Sequence, residues 1–185
     1  MATTLERGHE KTSRLPPTAV SRRNRILAIA AILSLIVGLG SVAGGVFGVV
    51  YTWNQAAAEN IVTPPDAPVP ETPVRGPLTM KAQADIIVEH TLENTDGLRY
   101  AEMPRFVPQV DDAGNPVLDE NGEPVMVPNQ ARNIWITATT LTTALHLGIM
   151  AYALSALALF SGLVMIMIGL ALWSLRSPQD RVSIA

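Results

Sequence analysis

The side chains in this sequence best suited to metal or proton chemistry are three histidines, His9, His90 and His146. His146 stands inside a long apolar run, where an ionisable group is a functional hypothesis by default. It could ligate haem, join a proton relay or make a polar intramembrane contact. One histidine cannot supply two axial ligands within one chain. The plainer reading is a neutral imidazole bonded to a threonine or a backbone carbonyl. If the two apolar runs cross a bilayer, it holds the three imidazoles apart, which weighs against an iron site of two histidines and a carboxylate. Cysteine is absent, so disulfides, thiol nucleophiles and Cys-based metal sites are excluded. Walker, GxSxG and HExxH patterns are missing. The expectation is a chain with no catalytic residue, no cofactor and no metal.

Helix contact is the better-marked chemistry. Gly40, Gly44 and Gly48 recur every four residues, with Ser41 and Gly45 beside them. That spacing puts them on one helical face. Without side-chain bulk, another helix can approach the backbone closely. A second small-residue stripe runs through Thr140, Ala144 and Gly148, continuing near Ala151 and Ser155. Either the two stripes pack together in an antiparallel hairpin, or one of them faces a foreign subunit.

Two apolar elements carry these stripes. Ile26 to Tyr51 has no charged residue over 26 positions, about 39 Å as a helix. That exceeds the roughly 30 Å of a hydrocarbon core, so the run can cross with some tilt. It is longer than the apolar stretch of a cleaved signal, although an Ala56-Ala57-Ala58 tract follows it. Ile134 to Leu175 also lacks Asp, Glu, Lys and Arg. Its first part is Thr-rich, and Pro128 or Asn129 suits a helix start outside the membrane. Arg22, Arg23 and Arg25 precede the first run, and Arg176 and Arg181 follow the second. Residues 52–133 hold five basic residues against thirteen acidic ones. Basic residues near span ends stay cytoplasmic, so both termini are expected inside and the loop outside. Tyr51, Trp53 and Trp135 would mark the outer boundary and Trp173 the inner one.

The expected fold is an all-α membrane protein, a two-helix transmembrane hairpin. It has a cytoplasmic tail over 1–24, a first span over 25–53, a second span over 134–175 with an outer extension, and a cytoplasmic tail over 176–185. The acidic extracytoplasmic loop, 54–133, reads as mostly irregular. Its six prolines between Asn60 and Pro77 predict a stiff, extended stretch, either draped on a partner or serving as a spacer. Thr79 to Asn94 reads as a short helix with Thr79 as N-cap and Gly97 as its stop. Over 110–127, Asp111-Asp112-Ala113-Gly114-Asn115-Pro116-Val117 recurs eight residues later as Asp119-Glu120-Asn121-Gly122-Glu123-Pro124-Val125. These turns suggest one or two β-hairpins. Their spacing does not fit a calcium loop of the EF-hand type.

Several segments resemble a family of two-span actinobacterial membrane proteins. They are Ala57-Ala58-Glu59-Asn60-Ile61, Gly76-Pro77-Leu78-Thr79, Ala82-Gln83-Ala84-Asp85-Ile86-Ile87 with His90, and Tyr100-Ala101-Glu102. Members often carry the label "aromatic ring-opening dioxygenase LigA", which the missing ligands contradict. The 110–128 repeat departs from the family pattern. Small two-span proteins of this size also serve the actinobacterial cytochrome bcc–oxidase supercomplex. The resemblance therefore implies a non-catalytic accessory subunit of a respiratory complex, partnered by other integral membrane subunits and by the lipid bilayer. The acidic loop would steer a basic carrier such as cytochrome c. No nucleic-acid partner is expected, because the basic patches are too short. The alternative is an envelope protein binding cell-wall or secreted partners through its loop.

Overall fold

A computed structural model describes residues 17–176. His9, Arg181 and most of the two tails lie outside the described residues. Helix α1 spans Pro17–Ala58, α2 Pro77–Glu93 and α3 Gln130–Ser174. Between α2 and α3, strands β1 (Phe106–Pro108) and β2 (Met126–Pro128) pair antiparallel, with Val107 opposite Val127.

Helix α1 runs past both ends of the expected 25–53 span. Proline is at home in a first turn, where its missing N–H leaves no bond unmade. At the other end, Ala56, Ala57 and Ala58 are strong helix formers and make up the last turn. Asn60, at φ 53°, then stops the helix in the left-handed conformation that asparagine tolerates. Helix α3 begins where Asn129 Oδ1 accepts the N–H of Ala131 at 3.0 Å, the N-cap its position foretells. Both helices are long and apolar enough to cross a membrane. Only 17% of the most apolar window of each is buried within the protein, unlike the core helix of a soluble domain.

The chain divides into two compact units. One pairs α1 up to Ala43 with α3 from Ala158. Here Asn24, Ala31 and Gly38 are buried on α1, Gly162 and Gly169 on α3, and Arg176 two residues past the end of α3. Each set repeats every seven residues. That is the period of a left-handed helix pair, and it is not the four-residue glycine period read from the sequence.

The other unit, Gly44–Leu157, holds the whole interhelical region. The proline-rich segment is not extended. It folds back on itself as a compact loop, with Thr63 N–H donating to Thr72 O at 3.0 Å and Val74 N–H to Ile61 O at 2.9 Å. Prolines cannot donate, so one side chain takes over. The Thr63 hydroxyl, 1% exposed, donates to Val69 O and accepts the N–H of Thr72 at 2.9 Å. Helix α2 starts two residues before the expected Thr79. Gly76 is its N-cap and Pro77 its first residue, while Thr79 Oγ1 reaches back to accept the N–H of Gly76 at 3.2 Å. Gly97, at φ 76°, ends the turn that follows it, and its N–H bonds Leu92 O at 2.8 Å.

The eight-residue repeat makes two matching turns, at Gly114 and Gly122, both at φ 84°. Gln109, Val117 and Val125, one repeat apart, close a ring of backbone bonds. Gln109 N–H donates to Val125 O at 2.7 Å, Val125 N–H to Val117 O at 2.9 Å and Val117 N–H to Gln109 O at 2.8 Å. The repeat is therefore a small three-limbed meander capping the β1–β2 ladder, held by backbone bonds with little apolar core.

Candidate functional site

The first feature is the helix seam. A Cβ placed on Gly38 would lie 2.8 Å from Gly162 O, and one on Gly162 would lie 2.7 Å from Gly38 O. A Cβ on Gly169 would sit 3.0 Å from Ala31 O. Against backbone atoms the distances at Gly38 and Gly162 are prohibitive and that at Gly169 is tight, so glycine at these positions sets how closely α1 and α3 approach. In the other unit Gly48 lies against the Ser155 hydroxyl and Gly148 against Met80 of α2.

Around Gly40 and Gly44, by contrast, nothing lies within 4 Å of a Cβ position. The spacing leaves two arrangements open, stripes packed together or one stripe facing a foreign subunit, and Gly40 and Gly44 make no close contact among the described residues. Of the three glycines only Gly48 meets α3, while Ala144 and Gly148 line the side of α3 that α2 faces. Gly38, Gly162 and Gly169 were missed because the more conspicuous GxxxG repeat drew the reading. The signal that would have found them is the seven-residue interval from Ala31 to Gly38 and from Gly162 to Gly169.

His146 is exposed and makes no hydrogen bond or ion pair with any described residue. The expected bond to a threonine or carbonyl is not formed. Neighbouring threonines bond their own helix instead, as Thr140 does in donating to Ile136 O at 2.8 Å.

Trp135 is also not where an interfacial anchor would be. It is 6% exposed, and its Nε1–H donates to Leu98 O at 2.7 Å and to Thr95 Oγ1 at 3.2 Å. The Arg99 guanidinium stands 5.5 Å from its ring centre. One turn earlier, Arg132 lies 3.9 Å from the centre of Tyr100 and donates to Met103 O at 2.6 Å. Alternating arginine and aromatic groups thus fasten residues 95–105 onto the first turns of α3. Trp53 keeps its exposure and has Arg75 5.9 Å above it, while Tyr152 donates to Arg75 O at 2.6 Å.

The proline loop is tied to α2 by one polar contact, His90 Nε2 to Asp66 Oδ2 at 2.6 Å, with both partners exposed. The hydrogen bond to Asp66 raises the His90 pKa above its ordinary 6.5, and the bond to His90 lowers Asp66 below its ordinary 3.8. The histidine contribution is full below pH 6.5 and is lost as pH rises through the raised value. The aspartate contribution is present above pH 3.8 and is lost as pH falls through the lowered one. Amide exchange in residues 61–74 is therefore expected to be slower at pH 5.5 than at pH 8.5, after correction for intrinsic rates. In Asp66→Asn that difference should vanish. The same difference in the variant would refute the clip.

The acidic turns have a structural use. Asp111 Oδ1 accepts the N–H groups of Ala113 and Asn115, and Asp119 Oδ1 those of Asn121 and Glu123, all at 2.8–2.9 Å. These bonds, chiefly from Asn115 and Glu123, hold both carboxyls below the usual carboxylate range. Among the described residues no group of three or more His, Asp or Glu is placed to hold a metal ion.

Two hollows complete the Gly44–Leu157 unit. A shallow groove between α2 and α3 has Ile87, Ile134 and Leu141 along its bed and His90, Gln130 and Asn133 at its edge. A deeper cleft of about 640 Å³ is walled by α1, α2 and α3, with Val74 of the proline loop closing part of it. Met80, Leu141 and Leu145 form its apolar bed, and Thr52, Gln55, Glu59 and Gln83 are its polar members. No family model, curated protein or solved structure matches this chain. The seam, the bare glycine face and the Gly44–Leu157 unit are what bear on function.

Proposed function

We propose that this chain is a two-span membrane protein, with both termini cytoplasmic and the 59–129 region outside, that acts as a non-catalytic accessory subunit of a larger membrane complex. The observation that carries this reading is the bare glycine face. Gly40 and Gly44 take no part in the hairpin seam, so the α1 backbone there is open to a helix from another subunit. The unbonded imidazole of His146 is a second group available to a partner.

Helix length supports the membrane placement. Tyr152 to Trp173 covers 22 positions of α3, about 33 Å, against a hydrocarbon core of about 30 Å. Trp53, Arg75 and Tyr152 then form the outer girdle, and Trp173 with Arg176, 4.4 Å from its ring centre, the inner one. On this placement His146 lies at or above the outer head groups, where its polarity costs little. The resemblance of residues 57–102 to two-span actinobacterial proteins makes the respiratory cytochrome bcc–oxidase assembly the first partner to test. The acid excess of the outer region fits weak, salt-sensitive attraction of a basic carrier such as cytochrome c.

A tagged chain purified from its native membranes in mild detergent is expected to bring cytochrome-bearing subunits with it. Gly40→Leu with Gly44→Leu should lower their yield at least tenfold and leave the tagged chain's own amount unchanged. Recovery of the native chain alone, or undiminished partners with the double variant, would refute the proposal.

A further inference from the structure

The α1–α2–α3 cleft has a one-sided chemistry. Its volume of about 640 Å³ falls within the roughly 300–1,000 Å³ of small-ligand sites. Its bed is apolar, and no lysine, arginine or histidine lines it. Every polar group present can accept. Glu59 carries a carboxylate, and neither it nor Gln55 bonds another described residue. The Thr52 hydroxyl spends its proton on Gly48 O at 2.8 Å, leaving its lone pairs. Gln83 Oε1 is buried without a donor among the described residues, a state that is costly unless something supplies one. The Glu59 carboxylate sets the charge of this lining: it repels phosphate and carboxylate groups and favours a cationic donor, while the amides of Gln55 and Gln83 can accept or donate.

We propose that the cleft binds a single-chain amphiphile with an ammonium head. The chain lies along Met80, Leu141 and Leu145, and the head reaches Glu59 and Gln83. On α1 the cleft begins at Thr52, beside Trp53, and on α3 it ends at Gly148, one turn before Tyr152. Given the two-span reading, which this point alone rests on, the mouth meets the outer head-group layer, and the surrounding lipid is the source of the ligand. An apolar bed at that level is wet when vacant, and filling it with a hydrocarbon chain removes that surface from water.

The test uses the full chain in phosphatidylcholine nanodiscs and dodecylamine carrying a diazirine on its chain. Photolabelling is expected to concentrate on the peptides holding Met80 and Leu141–Leu145. Unlabelled dodecylamine should compete at a concentration at least tenfold below that needed of dodecanoate, with dodecanol between them. Ala144→Phe, which fills the cleft, should abolish the labelling. Glu59→Gln, at an exposed position outside the helix seam, should weaken the labelling and erase the preference for amine over alcohol. Labelling spread evenly along α1 and α3, or equal competition by dodecanoate, would overturn the proposal. So would an unchanged preference in Glu59→Gln, or release of a bound protein by Ala144→Phe in place of any effect on labelling. These readings hold whichever way the chain faces in the disc, so a failed topology and a failed ligand remain distinguishable.

Discussion

Valine at Gly162 is expected to separate the two long helices, while valine at Gly40 leaves them together. The added Cβ at 162 would meet Gly38 O at 2.7 Å, Val42 N at 2.8 Å and Val42 Cγ2 at 2.8 Å. Two of these are backbone atoms of a continuous helix and cannot swing aside, so relief requires α1 to move bodily. Overpacking a tight site costs about 1–3 kcal/mol, and the upper end applies when backbone is in the way. About 3 kcal/mol is roughly a hundredfold in an equilibrium constant. Nothing lies within 4 Å of the corresponding point on Gly40, so Gly40→Val should stay within about 0.5 kcal/mol. Reversible unfolding of each variant in the same detergent measures the difference. Equal stabilities would mean the seam does not lie where the glycines place it.

Trp135→Ala is expected to cost about 3–5 kcal/mol, the range for truncating a buried large aromatic. It should free residues 95–105 while leaving the α1–α3 seam intact. The loss has three parts: the ring, 6% exposed; the Nε1 bonds to Leu98 O and Thr95 Oγ1; and the stacked Arg99. Trp135→Phe separates them. It keeps most of the ring and removes the Nε1–H, while Leu98 O keeps the Thr95 hydroxyl as a donor at 2.8 Å, so it should cost about 0.5–1.5 kcal/mol. Proteolysis around Arg99 and Arg105 reports the loosening. If Trp135→Ala is cut no faster than the native chain, this residue is a lipid-facing anchor after all and the docked arrangement of 95–105 fails.

Those two residues also mark the limits of what the sequence makes legible. The two long helices are plain from charge-free runs, since nothing else keeps so many apolar residues together. Asn129 as a cap and Gly97 as a stop are local backbone chemistry and are readable for that reason. Trp135 is a tryptophan at the edge of an apolar run, and from sequence that position means a lipid interface. Only the return of residues 95–105 over α3 buries it, and that is a long-range event no local pattern encodes. The proline-rich stretch misleads for a related reason. Proline predicts extension where nothing replaces the missing donors, and here Thr63 replaces them. Glycines every four residues signal a close crossing, but α1 carries two small-residue faces. The hairpin uses the seven-residue face of Ala31 and Gly38 and leaves Gly40 and Gly44 bare. The cleft was illegible because its walls come from three helices far apart in sequence.

The account depends most on residues 59–129 and the ends of the chain lying on opposite sides of a membrane. The protein has no cysteine, so single reporters can be introduced at Ala113, in an exposed turn, and at Ser21, exposed near the start of α1. A membrane-impermeant maleimide applied to intact cells should label Ala113→Cys, and should label Ser21→Cys only after the cells are permeabilised. Labelling of Ser21→Cys in intact cells with Ala113→Cys protected, or recovery of the unlabelled chain in the aqueous fraction without detergent, would contradict it.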